Sequence, residues 1–195
     1  MAATRILIAE DNDLVSLTLE EQLKGLGYDV IGIARTGTEA IDLALRLVPD
    51  VILMDIRMPE IDGTEAALRI NQQRSMPIIM LTAYTDKETV RRAEAAGVLG
   101  YLVKPISEND LPPAINIALA RFREIQSLRT EVHSLQDSLE ARKLIERAKG
   151  ILMQRLGIPE REAYERLRQR ARDKRAKMKD IARAIIEAEE LLGND

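Results

Sequence analysis

Val51-Ile52-Leu53-Met54-Asp55 is an apolar run that stops on a carboxylate, and three other runs in the chain also stop on a chemically active side chain. Ile6-Leu7-Ile8-Ala9 leads into Glu10 and Asp11, Ile78-Ile79-Met80-Leu81 into Thr82, and Gly100-Tyr101-Leu102-Val103 into Lys104. Runs this short and aliphatic read as strands covered on both faces by crossover helices. Strands are expected at 5–9, 29–34, 50–54, 77–81 and 100–103. Helical patterns fall between them at 14–26, 38–47, 64–73 and 87–96, and again from 111 onward. Boundary chemistry agrees: Thr36-Gly37-Thr38-Glu39 reads as a capping box, Gly97 as a helix-ending glycine, and Ser107-Glu108-Asn109-Asp110 as a helix start. Five such βα units predict a flavodoxin-like, doubly wound (βα)5 domain. In open parallel sheets, ligand chemistry gathers outside the carboxyl ends of the strands. Glu10, Asp11, Asp55, Thr82 and Lys104 are therefore expected in one acidic pocket with a single lysine and a single hydroxyl.

Each of these residues also has an ordinary reading. An Asp after an apolar strand often caps the next helix, Glu10-Asp11 can cap 14–26, and Lys104-Pro105 can be a plain turn. Their arrival in order at four strand ends favours a joint role. A carboxylate nucleophile attacking a phosphoryl donor brings like charges together, so a cation must offset them. Mg²⁺ takes oxygen ligands and keeps several waters. Asp11 and Asp55 are the natural direct ligands, with Glu10 acting through a water. Lys104 supplies a compact charge for one phosphoryl oxygen, and Thr82 a hydroxyl for another.

From about Thr4 to Arg123 the chain resembles the receiver domain of two-component response regulators. The carrying residues are Glu10-Asp11, Met54-Asp55-Ile56-Arg57-Met58-Pro59, Asp62-Gly63, Leu81-Thr82-Ala83 and Tyr101-Leu102-Val103-Lys104-Pro105. The resemblance implies that Asp55 is the phosphoacceptor and a sensor histidine kinase the donor. It also implies that the Arg57 backbone carbonyl completes the Mg²⁺ shell, that Lys104–Pro105 is cis, and that Tyr101 and Thr82 form the switch. Glu10 is a mild departure, since the acidic pair is also commonly Asp-Asp.

Beyond the receiver-like part the composition changes. The chain has 195 residues, no cysteine and a net charge of −3. Residues 142–183 nevertheless hold fifteen Lys and Arg against six Asp and Glu, leaving the remainder strongly acidic. No disulfide framework is available, no apolar run approaches a membrane span, and no signal pattern opens the chain, so a soluble cytoplasmic protein is expected. No Pro or Gly interrupts 114–149, and Ile125, Leu128, Val132, Leu135 and Leu139 make a seam of about two heptads. That seam either pairs with a second chain or packs against the basic region. The lone histidine, His133, lies beside it at a polar position. Three short helices follow: 141–156 ending at Gly157, a second beginning beyond Pro159 and running to 173, and a third at 178–192. The expected division is 1–123, a connector at 124–140, and a small three-helix domain at 141–195.

Only Asp173 interrupts the run of cations from Arg166 to Lys179, and Asp180 follows it, which favours a phosphate-facing surface. With Tyr164 the only aromatic there, extensive base stacking is not expected, and Tyr164 or a guanidinium plane would stack at most one or two bases. This last third is similar to the ANTAR family of RNA-binding antiterminators. The resemblance rests on Arg147-Ala148-Lys149-Gly150-Ile151-Leu152-Met153, Glu162-Ala163-Tyr164, Arg172-Asp173-Lys174-Arg175 and Met178-Lys179-Asp180-Ile181-Ala182. It implies binding to tandem hairpins in a nascent leader transcript, with Arg147, Lys149, Tyr164, Arg168, Arg172, Lys174, Arg175 and Lys179 as candidate contacts. Two alternatives stand beside it. Helices meeting across Gly157–Pro159 can imitate a DNA-binding helix-turn-helix, and the connector can serve a protein-binding adaptor. No catalytic constellation appears beyond self-phosphorylation at Asp55.

Overall fold

The computed structural model describes residues 3–83 and 96–192, and the chain divides into two compact units, residues 1–126 and 127–195. The expected helix at 87–96 lies almost wholly outside the described residues. In the first unit, β1 (Arg5–Ala9), β2 (Asp29–Ala34), β3 (Val51–Asp55), β4 (Ile78–Thr82) and β5 (Gly100–Val103) form one parallel sheet in the order β2-β1-β3-β4-β5. This is the flavodoxin-like order, with its switch point beside β1 and β3. Helices α1 (Asp13–Gly25), α2 (Gly37–Leu47) and α3 (Gly63–Gln73) connect strands, and α4 (Leu111–Leu156) follows β5.

Strand alternation builds two cores. Leu7, Ala9, Ile52, Met54, Ile78 and Met80 face α2 and α3, whose buried Ala40, Ala44, Ala66 and Ala67 allow close approach. Ile6, Ile8, Val51, Leu53, Ile79 and Leu81 face α1 and the first turns of α4, meeting Leu19, Leu23, Leu111, Ile115 and Ala118. Since β1, β3 and β4 are buried on both faces, the first positions open to polar chemistry are their ends.

The caps show how those ends are kept available. Asn12, rather than Glu10 or Asp11, caps α1: its Oδ1 accepts from the Leu14 and Val15 N–H groups at 3.0 and 3.3 Å. At α2, Thr36 Oγ1 accepts from the Glu39 N–H at 3.1 Å, but the Glu39 carboxylate reaches the Arg35 N–H at 2.8 Å, one residue outside an ordinary capping box. Ser107 and Asp110 do form the reciprocal box before α4. Pro112 and Pro113 then fall in the first turn, where a missing N–H costs little.

In the second unit, the end of α4 packs with α5 (Glu160–Asp173) and α6 (Met178–Leu192) around Ala148, Leu167, Ala171, Ile181, Ala182 and Ile186. The expected helix at 141–156 is the last part of α4, which runs without a break through 124–140. It stops at Gly157, φ 63°, whose N–H donates to the Met153 carbonyl at 3.0 Å. Pro159 precedes α5 as its cap residue with extended backbone, and the helix begins beyond it. Residues 127–140 are exposed on every side. Leu128, Val132, Leu135 and Leu139 are each over half exposed, so the heptad seam does not pack against the basic helices. Among the described residues, no helix is long and apolar enough to cross a membrane.

Candidate functional site

Side chains from the ends of β1, β3 and β5 come together, and the end of β4 joins them through its backbone. Lys104 Nζ donates to Glu10 Oε2 at 2.6 Å and to Asp55 Oδ2 at 2.8 Å. One oxygen each from Glu10, Asp11 and Asp55 lies within 4.8 Å of the others. Glu10, Asp55 and Thr82 are buried and Asp11 is exposed, so the cluster has a solvated side.

Backbone geometry fixes these positions. The Lys104 N–H donates to the Thr82 carbonyl at 2.8 Å, carrying the β4–β5 pairing one step past the strand end. The loop after Asp55 folds back on itself, with the Gly63 N–H donating to the Ile56 carbonyl at 2.8 Å. A Cβ at position 63 would stand 1.9 Å from the Asp55 carbonyl oxygen, so only glycine closes this loop. Arg57 lies in that loop with its side chain exposed. The Lys104–Pro105 peptide is cis. Tyr101 is half-buried on edge strand β5, opposite Met80, and packs against the core shared with α2 and α3.

Burial pushes the Glu10 carboxyl above its ordinary range; the Lys104 hydrogen bond opposes this and the Asp55 charge adds to it. Burial alone would lower Lys104, but its hydrogen bonds to Asp55 and Glu10 win, and its pKa is raised. The lysine is therefore firmly charged, and three carboxylates face one ammonium. A hard, oxygen-only donor set with surplus negative charge fits Mg²⁺.

The candidate RNA contacts separate into two groups. Arg147 pairs with Glu190 at 2.7 Å and Arg168 with Glu165 at 3.3 Å. Lys149 is buried, with its ammonium on Glu146 at 2.8 Å and Glu160 at 2.6 Å, tying α4 to the start of α5. These three are committed within the chain, and Arg155 and Arg183 are similarly paired with Glu189 and Glu140. Arg172, Lys174, Arg175 and Lys179 make no ion pair among the described residues, and the first three are exposed. Tyr164, 41% exposed, lines up with Arg168 and Arg172 at four-residue spacing beside the buried Ala163, Leu167 and Ala171. Sequence reasoning missed the anchoring role of Lys149. Glu146, three residues before it, was the only local signal.

Comparison with known proteins agrees with both parts. Residues 6–116 match the response regulator receiver domain, and residues 133–186 match the ANTAR domain. The chain is 45% identical to the transcriptional regulatory protein PdtaR of Mycobacterium tuberculosis, over 94% of this chain and 89% of that protein. Among solved structures, the signal receiver domain of a modulated diguanylate cyclase from Desulfovibrio desulfuricans is 39% identical, with a TM-score of 0.58 over 62% of this chain and 96% of that one. The receiver domain of a Pseudomonas aeruginosa sensor histidine kinase, solved with a magnesium ion coordinated in its active site cleft, is 34% identical, with a TM-score of 0.56 over 61% and 99%. With a receiver pocket at one end and paired and unpaired cations sorted on three helices at the other, the chain belongs to the ANTAR response regulators, RNA-binding antiterminators governed by a receiver domain.

Proposed function

We propose that Asp55 accepts a phosphoryl group from a sensor histidine kinase, and that this event controls how the C-terminal unit binds hairpins in nascent leader RNA. The observation that carries the proposal is the Lys104 ammonium held between Glu10 and Asp55 at the end of the sheet. An Asp55 carboxylate oxygen forms the new O–P bond as the donor's bond to phosphorus breaks. Lys104 then exchanges a carboxylate oxygen for a phosphoryl oxygen, and the Thr82 hydroxyl donates to another. Asp11 and Asp55 would hold Mg²⁺ directly, Glu10 through a water and Arg57 through its carbonyl. When bound, the ion offsets the repulsion between carboxylate and phosphoryl group.

The new charge and its contacts draw on Thr82 and Tyr101, so the face of β4 and β5 is the switch. The exposed seam Leu128, Val132, Leu135 and Leu139 supports pairing with a second copy of the chain, a role for the connector at 124–140 between a receiver at 1–123 and an RNA-binding part at 141–195. In this reading the protein works in the cytoplasm, and its only catalysis is on its own Asp55.

The test is binding of the purified chain to a tandem-hairpin leader RNA and to duplex DNA of matching sequence, with and without beryllofluoride and Mg²⁺. Selective RNA binding that strengthens with the phosphoryl mimic, and loses that response in Asp55→Asn, is the expected result. Identical RNA affinity and oligomeric state for the mimic-treated chain and Asp55→Asn would end the switching proposal, and preference for DNA would replace the RNA reading.

A further inference from the structure

The helix ends of this chain contain an internal control. α1 closes with two reversed bonds, Gly27 N–H to the Lys24 carbonyl and Tyr28 N–H to the Leu23 carbonyl, each 3.0 Å, with Gly27 at φ 84°. α5 closes with the same pair: Arg175 N–H to the Arg172 carbonyl at 3.1 Å and Ala176 N–H to the Ala171 carbonyl at 3.0 Å. The residue in the left-handed position is now Arg175, φ 50°. That position favours glycine, because any Cβ there crowds the backbone. Val48 and Glu60 also have a positive φ, but neither takes the glycine position of this paired helix ending, and the Val48 carbonyl is held by the Arg5 guanidinium at 3.1 Å. The Arg175 side chain is exposed and makes no ion pair or hydrogen bond among the described residues. Nothing among the described residues accounts for a side chain at this strained point, and residues kept in such conformations cluster where a ligand is met.

A second observation lies two residues further on. Lys177 and Lys179 form one wall of a cleft of about 660 Å³, and the other wall is the polar face of α4 with His133, Ser134, Asp137 and Ser138. Asp137 is the only carboxylate among the lining residues, and it lies 3.7 Å from His133 Nδ1. Neither lysine is committed to an ion pair among the described residues. Two ammonium groups facing serine hydroxyls suit the backbone of a nucleic acid, which is read by cations and hydroxyl hydrogen bonds.

We infer that the α5–α6 turn and this cleft are one seat for the phosphodiester backbone of RNA. Arg175 grips a phosphate through its guanidinium fork, while Lys177 and Lys179 hold the neighbouring backbone against the hydroxyl-lined wall of α4. The inference rests on the RNA-binding reading above and extends the contact surface to residues 133–138, ahead of the basic helices.

The experiment uses the full chain with beryllofluoride and Mg²⁺, and measures thermal unfolding together with affinity for the tandem-hairpin RNA across a salt series. Arg175→Gly raises the unfolding midpoint by about 2–4 °C. The same variant loses roughly 5–10-fold in RNA affinity, and its salt slope falls by roughly 0.7–0.9. Arg175→Lys, with the same backbone cost, restores most of the affinity and gains no stability. Ser134→Glu weakens RNA binding several-fold. Ser127→Glu, at the same heptad position about 10 Å along the helix, leaves it unchanged. An Arg175→Gly chain that melts earlier, or that binds RNA with unchanged affinity and slope, overturns the inference, as do equal effects at positions 134 and 127. If the unmodified chain fails to bind the RNA, the RNA reading falls and takes the seat with it. If it binds while these variants are silent, the seat alone is wrong.

Discussion

Lys104 and Lys149 are each held by two carboxylates, at 2.6 and 2.8 Å in both cases, but their surroundings are inverted. Around Lys104 the carboxylate side chains of Glu10 and Asp55 are 1% and 11% exposed and the lysine 20%. Around Lys149 the lysine is 8% exposed, while Glu146 and Glu160 are 57% and 66%. The electrostatic sign follows. Burial dominates at Glu10 and raises its pKa, whereas the Lys149 hydrogen bond dominates at Glu160 and lowers it. Buried carboxylates depend on whatever cation stands beside them, so the first cluster can exchange an ammonium contact for a metal ion or a phosphoryl oxygen. Exposed carboxylates are already solvated, and there the lysine buries its aliphatic stem and serves as an anchor.

The largest effect that distinguishes the two clusters is removal of the lysine. Without divalent cations, Lys104→Ala leaves Glu10 and Asp55 without a counter-charge. The unfolding free energy should fall by about 2–3 kcal/mol, less than for a fully buried pair because Lys104 is partly exposed. Millimolar Mg²⁺ should then stabilise Lys104→Ala more than it stabilises the unmodified chain in a denaturant titration. Equal stabilisation of the two proteins would remove the distinction.

Lys149→Ala should have a smaller effect, lowering the thermal midpoint by a few degrees, with no differential response to Mg²⁺ and full phosphorylation by acetyl phosphate on intact-mass analysis. A variant with unchanged stability but weakened RNA binding would instead return Lys149 to the contact surface.

The smallest effect is the dependence on pH, where the two glutamates should act in opposite directions. The raised pKa of Glu10 makes its contribution to stability full below the ordinary value of 4.5 and lost as pH climbs through the folded value. The lowered pKa of Glu160 makes its contribution full above 4.5 and lost as pH falls through the folded value. Stability against pH for Glu10→Gln and Glu160→Gln, measured without divalent cations, should therefore depart from the unmodified chain with opposite slopes. Departures of the same sign would show that burial does not decide between the clusters.

How much of this was visible in the residue order depends on the range of the interaction. The receiver fold and its pocket were legible because β1, β3 and β4 are apolar on both faces, so Glu10, Asp55 and Thr82 stand out as the first polar positions after each run. Asn12 as the cap of α1 was obscured by the acidic pair before it, which has the same capping chemistry. The split among the cations was not legible, because Glu189 and Glu190 reach Arg155 and Arg147 only after α6 has folded back against α4. Periodicity located the seam at Leu128–Leu139 but not what covers it, since a heptad stripe looks alike whether its partner lies within the chain or in another.

The bare stretch at 127–140 has a consequence for helix cooperativity. A fourteen-residue helix that buries none of its apolar side chains is marginal in water, because its first turn must fix several residues for a single hydrogen bond. Here both ends of the stretch continue into packed helix, at Leu111–Ala118 on one side and at Leu144–Leu152 on the other. Nucleation is thus supplied from outside, and the span persists by propagation alone. Its helicity is consequently borrowed from the packed turns at either end, and fraying of those turns would leave these fourteen residues to nucleate for themselves.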